Sequence, residues 1–100
     1  MAKRIIWSER AKYDKRKILT YWRNRNKSNV YPKKLNRIFK ESILAMGSSP
    51  FSGKRTDYMN AKVKIVRDYK VFYDETETTI EILTIWDTRQ DPNKLKNILK

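Results

Sequence analysis

Apolar residues recur at helical spacing up to about residue 47 and alternate with polar ones from residue 61 onward, so the chain divides into a helical half and a strand half. Ile5, Ile6 and Trp7 form a short apolar run, which predicts a β-strand over residues 4–7. Ser8 then suits a helix N-cap, and Glu9 is favourable beside the positive end of the helix dipole. Ala11, Ile18 and Trp22, widened by Leu19 and Tyr21, define an amphipathic helix from residue 9 to about 25. The polar residues Asn24, Asn26, Ser28 and Asn29 end it. Pro32 suits the first turn of a second helix, whose stripe is Leu35, Ile38, Phe39, Ile43 and Met46 and which Gly47 is expected to cap. Two helices joined by so short a loop should form an antiparallel hairpin.

Residues 47–60 carry Gly47, Ser48, Ser49, Pro50 and Gly53 and predict the longest irregular segment. Beyond it Val63 and Ile65 alternate with Lys62 and Lys64, Arg67 and Asp68 supply a tight turn, and Tyr69 to Tyr73 gives the next strand. After a charged turn from Asp74 to Glu77, a last strand runs from Thr78 to about Trp86. Ile80, Ile82 and Trp86 fall on one face of it and Leu83 and Ile85 on the other, the signature of a central strand buried on both sides. Asp91 and Pro92 open a terminal helix with Leu95, Ile98 and Leu99 as its apolar stripe. The expected fold is α+β: an N-terminal strand, a two-helix antiparallel hairpin packed on a mainly antiparallel sheet of about four strands, and a short C-terminal helix, in one domain spanning residues 1–100.

Composition narrows the chemistry. One hundred residues suffice for one small core, burying about 64% of the surface the unfolded chain exposes. There is no Cys and no His, so disulfides, thiolate nucleophiles, histidine bases and the usual structural zinc sites are excluded, and any catalysis must use Lys, Arg, Tyr or carboxylates. No cofactor is implied. With neither a signal-peptide core nor a membrane-spanning run, the chain reads as soluble and cytoplasmic. Its net charge of +13 is unevenly spread. Fourteen Lys and Arg against three acids give +11 over residues 1–50, whereas ten against eight give +2 over residues 51–100. An excess of this size points to an anionic partner, nucleic acid or acidic protein.

In the strand half, Lys62 and Lys64 share a face, Lys70 is positioned to join them from the next strand, and Arg89 stands where the last strand ends. These four cations are expected to form a phosphate-binding patch; the plainer alternative is an exposed sheet face with lysines protecting its edge, and Arg89 paired with Asp87 or Asp91. Trp7, Trp22, Phe39, Tyr73 and Trp86 read as core aromatics, and Tyr31, Tyr58 and Phe72 as exposed ones. The acids Asp74, Glu75 and Glu77 read as solvated turn charge, not as a metal site.

The segment AKVKIVRDYKVFYDETETTIEILTIWDTRQDPNKL, Ala61 to Leu95, resembles the C-terminal half of the RelE/ParE superfamily of bacterial type II toxins, and IIWSERAKYDKRKILTYW, Ile5 to Trp22, is similar to its opening strand and first helix. The resemblance rests on RDYKVFY, on a long apolar strand after an acidic hairpin, and on WDTRQDP, with a basic residue at the strand end. It implies a toxin of the plasmid-stabilization kind, neutralised by a cognate antitoxin that covers part of the hairpin and the sheet. The superfamily comprises ribosome-dependent messenger-RNA endoribonucleases and poisons of DNA gyrase. In the ribonuclease pattern the catalytic cations would fall on Lys62, Lys64, Lys70 and Arg89; otherwise the same residues would contact the target. Two departures matter. Lys70 stands where that pattern has an arginine, losing a bidentate phosphate clamp, and no Tyr or His follows Tyr73 to act as the late acid or base. The gyrase poison, which needs only a binding surface, is therefore the favoured reading; the endoribonuclease and a non-toxic basic nucleic-acid-binding module are its alternatives.

Overall fold

A computed structural model describes residues 3–48, 54–55 and 61–89. The chain runs β1 (Arg4–Trp7), α1 (Glu9–Asn26), α2 (Val30–Ser48), β2 (Lys54–Arg55), β3 (Lys62–Val66), β4 (Tyr69–Glu75) and β5 (Thr79–Asp87). The strands form one sheet in the order β1-β5-β4-β3-β2. β1 lies parallel to β5 and the other neighbours are antiparallel, so the sheet is mixed, with β5 central as expected. The parallel pair follows from the long helical excursion between β1 and the rest of the sheet. The sheet has five strands, because the expected irregular segment contributes the two-residue β2 paired with Lys62 and Val63. The terminal helix expected after Asp91 lies outside the described residues, as does Tyr58.

Local chemistry fixes the helix ends. Ser8 caps α1 by accepting from the Ala11 N–H at 3.0 Å, and its own hydroxyl donates to the Leu83 carbonyl at 2.9 Å, which also docks the helix start on β5. At the other end Lys27 adopts a left-handed conformation, φ 51 and ψ 38, with its N–H returning to the Arg23 carbonyl. Gly47 does not take the capping role expected of it: it lies inside α2 without positive φ. It is needed for close approach, since its carbonyl accepts from the Lys3 N–H at 3.0 Å and a Cβ there would sit 3.1 Å from the Lys3 carbonyl oxygen.

The core lies between the helical hairpin and one face of the sheet. Leu35, Phe39, Ile43 and Met46 of α2 and Ala11 of α1 are buried against Val66, Tyr69, Val71, Tyr73, Ile80, Ile82 and Ile85. Phe72 and Trp86 form a second cluster with Val63 and Leu83. Phe72, expected at the surface, is 2% exposed. Strict alternation had placed Trp86 beside Ile80 and Ile82 and had set Ile85 apart from them. A β-bulge corrects both: Phe72 pairs with Thr84 but Tyr73 with Ile82, leaving Leu83 as the extra residue. The insertion reverses the parity of β5 beyond it, so Ile85 joins Ile80 and Ile82 in the core while Trp86 moves to the second cluster.

Candidate functional site

The four predicted cations do not converge. The two-residue turn at Arg67 and Asp68 pairs Val66 with Tyr69, Lys64 with Val71 and Lys62 with Tyr73. Directly opposed residues share a face, so Lys62 and Lys64 lie on the helix-facing side at one edge of the core. Lys70 opposes Ile65 and Trp86 instead and projects, exposed, from the other face. Arg89 follows the far end of β5, whereas Lys62 belongs to the end where β4 finishes; strand rise and spacing put these ends roughly 15 Å or more apart.

Two of the four are engaged by carboxylates. The Lys62 ammonium donates to Glu75 Oε1, and Lys3 Nζ donates to Oε2 at 2.8 Å. Glu75, expected as solvated turn charge, has a side chain only 4% exposed. Burial by itself would raise its carboxyl, but the hydrogen bonds and charges of Lys3 and Lys62 outweigh that and hold it below its ordinary value. Arg89 grips Asp87, with Nε to Oδ1 at 3.0 Å and Nη2 to Oδ2 at 2.8 Å, while its backbone N–H donates to Oδ1 at 2.9 Å. That fork lowers the Asp87 carboxyl, chiefly through the side-chain hydrogen bond, and raises the guanidinium. The pairing of Arg89 with Asp87 is the plainer of the two alternatives read from the sequence. Thr88 steadies the same turn by donating through N–H and hydroxyl to the Asp68 carbonyl.

The structure assembles a different site. Between α1 and the C-terminal half of β5 lies a cleft of about 150 Å³, lined among others by Arg10, Asp14, Lys17, Tyr21, Tyr69 and Asp87. Asp14 is its organising residue: buried, it accepts from the Thr84 hydroxyl and from the Ile85 N–H at 3.2 Å, and it pairs with Arg10 Nε at 3.1 Å. The bulge makes this possible by presenting two successive β5 donors to one helix. At the far end of the cleft, Trp22 Nε1 donates to the Tyr69 hydroxyl at 2.8 Å and Arg25 donates to the Tyr21 hydroxyl at 3.0 Å. Burial is the main reason the Tyr69 phenol sits above its ordinary 10.0.

Sequence reading missed this cleft because its partners are distant, Asp14 and Thr84 being 70 residues apart. The available signal was Asp14 itself, a carboxylate falling within the apolar stripe of α1 between Ala11 and Ile18. Among the described residues no group of three or more His, Cys, Asp or Glu could hold a metal ion, and no described helix is long and apolar enough to cross a membrane.

Fold and site together define a small α+β protein: a basic helical hairpin on a mixed sheet, with Asp14, Glu75 and Asp87 held by partners within the fold. A family model described as ParE toxin of type II toxin-antitoxin system, parDE, matches residues 5–92, and the chain belongs to that family, within the RelE/ParE superfamily. The match runs from β1 past the end of β5. Comparison with curated protein sequences finds no match.

Proposed function

We propose that this ParE-family toxin acts on DNA gyrase inside the cell that makes it, by binding and not by catalysis, and that a cognate antitoxin neutralises it. Pairing with an antitoxin is a property of the family; the gyrase target is the reading advanced here. One observation carries the non-catalytic reading. The cations that a ribonuclease would need occupy opposite faces and opposite ends of the sheet, so they cannot close around one scissile phosphate. Phosphoryl-transfer chemistry requires such groups within hydrogen-bonding reach of the reacting oxygens. Lys62 and Arg89 are moreover engaged by Glu75 and Asp87.

Purified protein is added to gyrase in a supercoiling assay and, separately, to ribosomes translating a defined messenger RNA. Inhibited supercoiling with intact message is the expected result. Codon-phased cleavage of the message, abolished by Arg89→Ala, would instead establish the endoribonuclease and overturn the proposal.

A further inference from the structure

The helical hairpin holds most of the positive charge and few groups to neutralise it. Residues 9–48 contain 12 Lys and Arg and only three acids, each committed: Arg10 to Asp14, Lys12 to Glu9 and Arg37 to Glu41. The other nine cations have no carboxylate partner among the described residues. Three of them line one feature, a groove of about 260 Å³ between α1 and the start of α2, to which no sheet residue contributes. Arg16 and Arg23 are exposed along it, and Lys15 stands beside them with its ammonium 4.9 Å from the centre of the Trp7 ring. Leu19 and Pro32 supply its apolar part.

We propose that this groove binds the phosphodiester backbone of duplex DNA without regard to sequence, so that the toxin engages DNA as well as the enzyme acting on it. The lining selects this occupant. An amphipathic helix from an acidic protein would need apolar anchors at several successive turns, and Leu19 with Pro32 offers a single apolar contact. A phosphate backbone needs regularly spaced cations and little apolar surface. Lys15 to Arg23 spans about 12 Å of helix axis, room for three or four phosphates of one strand. No carboxylate stands among the described lining residues to repel them. Such contacts supply affinity and register, not base selection.

The choice of duplex DNA rests on the gyrase reading, but the test contains no gyrase, so the two fail separately. Binding of the full chain to a labelled duplex of about 20 base pairs is followed by fluorescence anisotropy from about 50 to 200 mM KCl. The wild type is compared with Arg16→Gln/Arg23→Gln and with Lys34→Gln/Lys40→Gln, which removes equal charge from exposed positions of α2 outside the groove. Losing two phosphate contacts lowers the log–log salt slope by about 1.8, so the wild-type advantage over the groove variant shrinks about 12-fold across that range. The α2 variant is expected to change the slope by less than half as much. Equal slopes for the two variants would attribute binding to bulk charge and overturn the proposal, as would no wild-type binding at about 50 mM KCl. A glutamate-rich peptide that binds more tightly than the duplex at equal salt, and loses that binding with Arg16 and Arg23, would assign the groove to an acidic protein and also overturn it.

Discussion

Replacing Asp14 by alanine should be among the most damaging single changes in this protein. The carboxylate is 7% exposed, and the Thr84 side chain that it accepts from is fully buried. Truncation removes the acceptor of the buried Thr84 hydroxyl and of the Ile85 N–H, and it releases Arg10. Each orphaned buried donor costs about 1–3 kcal/mol, and a hydrogen bond to a charged group lies toward the upper end of that range, so about 4 kcal/mol is expected in total. For a chain of this size that lowers Tm by roughly 16–32 °C.

Asp14→Asn provides the control. It removes the same negative charge from a +13 chain, and thus adds the same self-repulsion, but it keeps an oxygen that can accept from Thr84 and Ile85. Its cost should be about 1 kcal/mol, mainly from the lost pairing with a half-exposed Arg10. Urea titrations followed by tryptophan fluorescence measure both variants, and an unchanged m-value verifies that the comparison is of stability alone. If alanine and asparagine destabilise equally, charge and not acceptor geometry governs the site, and the account of Asp14 as the clasp between α1 and the β5 bulge is refuted.

Glu75 should make stability acid-sensitive. Its folded-state pKa lies below the ordinary 4.5, so its contribution is complete above that value and is lost as pH falls through the folded pKa; Glu75→Gln should flatten this acid limb in melts between about pH 5 and 2. Lys27 sits at φ 51 without being glycine, so Lys27→Gly should raise stability by up to about 1 kcal/mol in a urea titration, whereas Lys27→Val should lower it. Gly47→Ala should fail to deliver the roughly 1 kcal/mol that alanine normally adds inside a helix, because its Cβ would sit 3.1 Å from the Lys3 carbonyl oxygen; a Tm raised by about 4–8 °C would show that the chain entering β1 has room to yield.

What the sequence made legible was whatever local periodicity or local chemistry governs. The stripe from Leu35 to Met46, the cap at Ser8, the turn at Arg67 and Asp68 and the central position of β5 all needed only near neighbours to be read. The faces of β5 were not legible beyond Leu83, since a bulge leaves no mark in the alternation of a strand whose two faces are both apolar. The face on which Lys70 lies is set by the β3–β4 turn. Pairing Val66 with Tyr69 across a two-residue turn forces the even residues of β3 opposite the odd residues of β4, which already excludes Lys70 from the lysine face. Glu75 looked solvated because its partner Lys3 is 72 residues away, across the join of β1 to the sheet.

These pairings also sharpen the charge asymmetry that the sequence already carries. Asp14, Glu75 and Asp87 are each held by cations or donors within the fold, and so contribute little negative potential outward. The hairpin cations that remain repel one another across α1 and α2 at close range, a cost that the folded state carries until an anion or an acidic partner arrives. Added salt therefore acts in opposite directions on the two properties. It screens the repulsion and should raise the melting temperature, while it weakens any contact made through Arg16 and Arg23. A protein stabilised by ordinary surface ion pairs would lose both together. A melting temperature that rises between about 0.05 and 0.3 M KCl, measured alongside falling affinity for an anionic partner, separates a surface built for association from one whose charges are mutually satisfied.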